Sequence, residues 1–146
     1  MDKYGLIGYP LGHSFSIGYF NEKFENEGIN ATYENFEIPS IDGLPEILDS
    51  NPNLRGLNVT IPYKKLVMEY CSFIDPRARA IGAVNTVVNK NGLLYGYNTD
   101  YLGFAHLCEA HGVELAGKTV LILGTGGTHN TTRAVALDKG AAKVLT

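Results

Sequence analysis

The sequence predicts an α/β fold: a mainly parallel sheet flanked by helices with one antiparallel hairpin, followed by an incomplete Rossmann-like β-α-β unit. Three observations carry that prediction. Short apolar runs bounded by Gly, Pro or Asn alternate with stretches whose apolar residues recur at helical spacing. Two strand-like runs flank Lys90-Asn91-Gly92, and Asn-Gly supplies the positive φ angles that a tight hairpin needs. The apolar run Thr119 to Leu123 leads directly into Gly124-Thr125-Gly126-Gly127 and a further helical stretch.

In chain order, Tyr4 to Tyr9 reads as a buried strand stopped by Pro10 and followed by the loop Leu11-Gly12-His13-Ser14. From Ser16 a helix places Ile17, Phe20 and Phe24 on one side, with Gly28 as its C-terminal stop. Thr32 to Ile38 alternates as a strand until Pro39, and Leu44, Ile47 and Leu48 mark a short helix ending in Asn51-Pro52-Asn53. Gly56 to Ile61 is a strand closed by Pro62, and Tyr63 to Cys71 reads as a helix with Leu66, Val67 and Tyr70 on one face. The hairpin strands run from Val84 to Asn89 and from Leu93 to Tyr97, and a helix from Thr99 to His111 is closed by Gly112. The chain restarts near Leu115-Ala116-Gly117-Lys118, so the reading divides it into a first domain, residues 1–101, and a linking helix with the start of a second, residues 102–146.

Composition narrows the function classes. The 146 residues are 45% hydrophobic and 18% charged, the balance of a folded chain rather than a disordered one. A net charge of −3, with no basic run longer than Lys64-Lys65, argues against nucleic-acid binding. No apolar stretch approaches the roughly 18 residues of a membrane span. Cys71 and Cys108 lack CxxC spacing and the first residues lack a signal-peptide pattern, so a reduced, cytoplasmic protein is expected. The 17 glycines point to tight turns or to backbone in close approach to a ligand.

Five constellations are candidates for chemistry. In Gly124-Thr125-Gly126-Gly127-Thr128, a strand-to-helix loop turns backbone N–H groups toward a phosphate, although His129 stands where a G-x-G-x-x-G pattern has its third glycine. In Asn58-Val59-Thr60-Ile61-Pro62-Tyr63-Lys64, two neutral hydrogen-bonding groups and an ammonium sit at the carboxyl end of a strand, where parallel sheets bind ligands; on spacing alone a solvated lysine is the commoner outcome. Asn98-Thr99-Asp100 either caps the following helix or lines a site. His13-Ser14-Phe15-Ser16 offers two hydroxyls, of which Ser16 also suits a helix N-cap. Gly82-Ala83-Val84-Asn85-Thr86 places an amide where a helix hands over to a strand. His106, Cys108 and His111 lack zinc spacing, and no G-x-S-x-G nucleophile elbow is present.

Taken together and in order, the segments Gly8 to Ser16, Asn58 to Lys64, Gly82 to Thr86, Asn98 to Asp100 and Gly124 to Gly127 resemble the shikimate dehydrogenase family. The resemblance implies NADPH-dependent reduction of 3-dehydroshikimate to shikimate, on the route to chorismate and the aromatic amino acids. It implies that Ser14 and Ser16 hold the substrate carboxylate and that Thr60, Asn85 and Asp100 bind ring hydroxyls. Lys64, with Asp100 beside it, is the acid/base, and Gly124, Thr125, Gly126, Gly127 and Thr128 cradle the cofactor pyrophosphate. The chain departs from the family's pattern at Ile17-Gly18, where a proline usually follows the second serine, and at His129-Asn130-Thr131. Family members continue well beyond 146 residues, so the expectation is a truncated form, inactive by itself and open to self-association as a homodimer. The alternatives are a quinate/shikimate dehydrogenase using NAD and a shikimate-binding module without turnover.

Overall fold

The computed structural model describes residues 1–12 and 14–146; His13, named above with the serine loop, lies outside the described residues. Strand β1 (Asp2–Gly8) is followed by helix α1 (Phe15–Asn26) and strand β2 (Ala31–Glu37), which pairs in parallel with β1. Helix α2 (Leu44–Ser50) then returns the chain to β3 (Leu54–Val59), parallel to β1 on its other side. A short edge strand β4 (Cys71–Ile74) and helix α3 (Pro76–Ile81) precede the hairpin of β5 (Thr86–Lys90) and β6 (Leu93–Tyr97). The sheet order is β2-β1-β3-β5-β6-β4, and only β5 runs against the other five strands. Helix α4 (Asp100–Ala110) leads to a parallel pair, β7 (Thr119–Leu121) and β8 (Lys143–Leu145), joined by helix α5 (His129–Asp138). The predicted α/β architecture, hairpin and β-α-β unit are all present.

The hairpin forms as its turn residues require, with Asn91 at φ 54° and Gly92 at φ 85°. Helix α3 starts on Asp75, whose carboxylate accepts from the Arg77 N–H at 3.1 Å, and stops on Gly82 at φ 78°. One face of the sheet carries Ile7, Leu57, Val59, Val87 and Leu94 against Leu44, Ile47, Val67 and Ala78, which is the main core. The opposite face is covered by α1, where Phe20 stacks on Tyr33 with ring centroids 4.8 Å apart. A smaller core of Ile81, Ala83, Tyr101, Ala105 and Val135 joins α3, α4 and α5. The β7–β8 pair leaves apolar side chains in solvent, Leu121 being 61% exposed.

The helix expected over Tyr63–Cys71 is not one helix. Only Leu66–Tyr70 is helical, as a 3-10 helix, and Cys71 already belongs to β4, whose ladder with β6 decides its conformation. The strand expected from Val84 begins at Thr86, because the backbone N–H of Val84 is drawn to the Lys64 carbonyl at 2.8 Å instead of a ladder partner. The strand expected to reach Leu123 stops at Leu121.

Close packing between β1 and β2 depends on Gly5. A Cβ there would lie 2.5 Å from the Phe36 ring and 2.6 Å from the Glu34 carbonyl oxygen, and that backbone atom cannot swing aside. Gly5→Ala is therefore expected to destabilise the chain by about 3 kcal/mol, read as a lower urea midpoint; an unchanged midpoint would contradict the register.

Candidate active site

The register of the sheet brings the candidate loops to one edge. The chain leaves β1, β3 and β6 at their carboxyl ends, and β5 enters at the same edge because Asn58 pairs with Thr86, which in turn pairs with Tyr97. The loops after β1 and β3 are tied by the Tyr9 N–H to the Ile61 carbonyl at 3.1 Å. The peptides preceding Pro10 and Pro62 are both cis.

Lys64 is held from both sides in sequence. The Tyr63 N–H bonds the Thr60 carbonyl at 2.9 Å, and the buried Tyr63 ring donates its hydroxyl to the Ile38 carbonyl. The carbonyl of Lys64 itself accepts from Val84 at 2.8 Å. So fixed, the lysine reaches Asp100, with Nζ 2.8 Å from Oδ2. The Lys64 side chain is 16% exposed and that of Asp100 37%, so the ammonium is drawn out of water while the carboxylate keeps contact with it. Asp100 opens α4, where the helix dipole favours its negative charge.

The turn that delivers Asp100 is built by two asparagines. Asn98 caps α4, its Oδ1 accepting from the Tyr101 N–H at 3.2 Å while Nδ2 donates to the Ala83 carbonyl at 3.1 Å. Asn85, 8% exposed, accepts at Oδ1 from the Thr99 N–H at 2.9 Å and donates from Nδ2 to Thr99 Oγ1 at 2.9 Å. Of the two caps the sequence offered, Asn98 performs the task, while the Thr99 hydroxyl turns to Asn85.

The serine loop behaves differently from a helix cap. Ser14 occupies the N-cap position of α1 without making a side-chain cap bond, and its buried Oγ has no partner among the described residues. Ser16, expected to start the helix, lies inside it. Its hydroxyl sits beside the phenol of Tyr33, which donates to Asn58 Oδ1 at 2.8 Å. The spacing of Tyr33 marks it only as a strand residue and does not announce that contact.

Burial pushes the Tyr33 phenol up to about 12, with the Ser16 hydroxyl opposing the shift. The folded chain thus keeps this proton beyond the pH at which the unfolded chain, near pH 10, gives it up. The associated stability is intact below about pH 10 and is lost as pH rises toward about 12, amounting to about 2 kcal/mol. Alkaline unfolding of Tyr33→Phe compared with the parent should show that loss missing from the variant; parallel curves would contradict it.

A cavity of about 490 Å³ lies between Lys64 and the glycine loop, lined by Pro62, Lys64, Lys65, Thr125, Gly126 and Gly127 among others. Gly126 has open space where a side chain would stand, and a Cβ on Gly127 would lie 4.0 Å from Lys64 Cδ. Gly124 has φ 110°, a conformation that favours glycine. The loop enters α5, whose first turn offers backbone N–H groups, and two lysines form the opposite wall, so the residues present fit a dinucleotide pyrophosphate. Thr128 takes the N-cap position of α5 without a side-chain cap bond and lines a second depression with Asp100 rather than the cavity of Lys64 and Gly127. His129 turns to Thr146, with Nε2 2.8 Å from its Oγ1.

A family profile described as the shikimate dehydrogenase substrate binding domain matches residues 6–87, more than half of the chain. The chain belongs to the shikimate dehydrogenase family. The NADP(+) shikimate dehydrogenase of Symbiobacterium thermophilum is 42% identical over 146 residues, spanning 96% of this chain and 47% of that protein. Among solved structures, shikimate dehydrogenase 1 of Peptoclostridium difficile superposes with a TM-score of 0.89 at 38% identity, covering 99% of this chain and 55% of that one. The Thermus thermophilus shikimate 5-dehydrogenase, solved in complex with NADP(H) and shikimate, gives 0.86 at 32% identity, covering 99% of this chain and 55% of that one. The chain thus spans about half the length of the shikimate dehydrogenases it matches. Among the described residues no helix is long and apolar enough to cross a membrane.

Proposed function

We propose that this chain carries the substrate-binding and proton-transfer half of an NADP-dependent shikimate dehydrogenase, which reduces 3-dehydroshikimate to shikimate. The observation that carries the reading is the 2.8 Å contact between Lys64 Nζ and Asp100 Oδ2 at the carboxyl edge of the sheet, beside the glycine-loop cavity. NADPH, when bound, supplies the hydride. As the ketone carbon gains hydride, negative charge grows on its oxygen, and Lys64 both stabilises that charge and gives up the proton that completes the hydroxyl. Asp100 orients the ammonium and accepts from a neighbouring ring hydroxyl. Thr60 and Asn85 flank the ring, and Ser14 and Ser16 take the carboxylate. The Ser14 hydroxyl, buried and without a partner among the described residues, supports this, because such a donor gains most from an anionic ligand.

Gly124, Thr125, Gly126 and Gly127 would hold the pyrophosphate of the cofactor, with Thr128 at the entrance of α5. We divide the chain at residues 101/102, with substrate chemistry before the boundary and the linking helix and cofactor unit after it, and we place it in the cytoplasm, where Cys71 and Cys108 stay reduced. Because the cofactor unit here has two strands, turnover by these residues alone is expected to be negligible although shikimate binds. Isothermal titration with shikimate, paired with an absorbance assay of shikimate-dependent NADP reduction, tests both statements. Absence of shikimate binding would overturn the substrate reading, and turnover at the rate of a relative of full length would overturn the division of labour.

A further inference from the structure

We infer that Asn91 is a site of covalent self-modification, its side-chain amide closing on the Gly92 nitrogen and hydrolysing to aspartate or isoaspartate, and that Asn89 holds the reaction in check. The site is the hairpin tip, at the end of β5 and β6 away from the candidate active site, and it is independent of the shikimate reading.

Asn91-Gly92 is the only Asn-Gly pair in the sequence, and both residues are exposed. In such a pair the glycine nitrogen gives its proton to base and attacks the asparagine Cγ. The new N–Cγ bond replaces the Cγ–Nδ2 bond, and the amide nitrogen takes up a proton and leaves as ammonia. Water then opens the cyclic imide. Breaking N–Cγ leaves aspartate; breaking the bond from that nitrogen to the Asn91 main-chain carbonyl carbon leaves isoaspartate, with the backbone rerouted through Cβ and Cγ. Nothing is oxidised or reduced, and water is the co-reactant. Glycine at 92 exposes the nitrogen to attack because it has no Cβ, and among the described residues nothing lies within 4 Å of where one would stand. The fold opposes the first step at the nucleophile. The Gly92 N–H donates to Asn89 Oδ1 at 2.9 Å, and a proton shared with an acceptor is harder for base to remove. Asn89 is itself fixed from the other side, its Nδ2 donating to the Leu54 carbonyl at 2.8 Å. Asn91 at φ 54° and Gly92 at φ 85° keep the left-handed turn that matches the twist of the strands, so cyclisation requires the turn to open and the Asn89 bond to break together.

Incubating the whole chain in mildly alkaline buffer, with and without urea, tests both statements; the readout is the mass gained by the peptide containing Asn91 when NH2 gives way to OH. In urea, where the fold is lost, the parent and its Asn89 variants should react at one rate. In native buffer the parent should react at least about tenfold more slowly than in urea, and Asn89→Ala about tenfold faster than the parent, the worth of one hydrogen bond. Asn89→Asp keeps an acceptor oxygen for the Gly92 N–H and loses only the donor to Leu54, so it should stay within about threefold of the parent. Circular dichroism confirms that each variant is folded. Amide hydrogen exchange at Gly92 in the parent gives the same answer without any substitution, and should be slowed about tenfold or more relative to the chain in urea. No mass gain at Asn91 in urea would overturn the site. An unprotected Gly92 amide, Asn89→Ala no faster than the parent, or Asn89→Asp as fast as Asn89→Ala would overturn the role of Asn89.

Discussion

Replacing Lys64 by alanine is expected to lower kcat about a thousandfold in a dehydrogenase of full length that carries this domain, while moving the KM for 3-dehydroshikimate less than about threefold. The asymmetry follows from when the ammonium acts. In the ground state the substrate ring is held by several neutral hydrogen bonds, and the lysine is one contact among them. In the transition state it faces an oxygen that is acquiring a full negative charge, in a setting where its side chain is only 16% exposed and water screens poorly. Asp100→Asn is the companion experiment: the shape of the pair survives, but the ammonium loses its charged partner 2.8 Å away and with it the force that aims it. Steady-state oxidation of NADPH with 3-dehydroshikimate reads both. A Lys64→Ala enzyme with normal kcat and a raised KM would reduce the lysine to a binding contact and remove the acid/base assignment.

Asn85→Ala should act on the fold and the site together. The side chain is 8% exposed, and its Oδ1 receives the Thr99 N–H at 2.9 Å. The neighbouring Thr86 hydroxyl reaches the same oxygen at 3.1 Å. Truncation leaves a backbone donor without its acceptor at the turn that delivers Asp100, at a cost of about 2–3 kcal/mol. For a chain of this size that corresponds to a fall in melting temperature of about 8 °C. Shikimate affinity should fall too, because the residue after Thr99 is the partner of Lys64. Calorimetric melting and shikimate titration on the same sample check the two effects. Lost affinity at an unchanged melting temperature would mean that Asn85 serves the ligand alone and not the turn.

Asn85 also shows how far residue order can be read. Its motif marked it as an amide at a handover between helix and strand, and the resemblance assigned it to the ligand. The structure adds that both of its polar atoms already serve Thr99, a bond across 14 residues of chain that no local pattern encodes. Lys64 is the converse case. On spacing alone it was most simply a surface lysine beside Lys65, and only the ordered set of motifs singled it out. Its contact with Asp100 spans 36 residues and exists because β3 and β6 each flank β5, which brings both carboxyl ends to one edge. The strand β4 was missed because its four residues are too few to show alternation and its apolar neighbours fit a helical turn equally well. Tyr33 escaped for a related reason: a tyrosine in a strand is ordinary, and only the neighbouring strands and α1 decide what its hydroxyl meets.

The residue order alone therefore determined the features whose causes are local: the Asn-Gly hairpin, the glycine loop before a helix, the helix stops at Gly28 and Gly112, and the alternation of strand and helix that defines the class. Each depends on backbone conformations that one or two residues impose. The tertiary structure decided which distant groups share an environment: the ammonium with the carboxylate, the phenol with the amide, the Ser16 hydroxyl with the Tyr33 ring. These depend on strand order and register, which are set by burial of the whole apolar face at once and not by any segment within it.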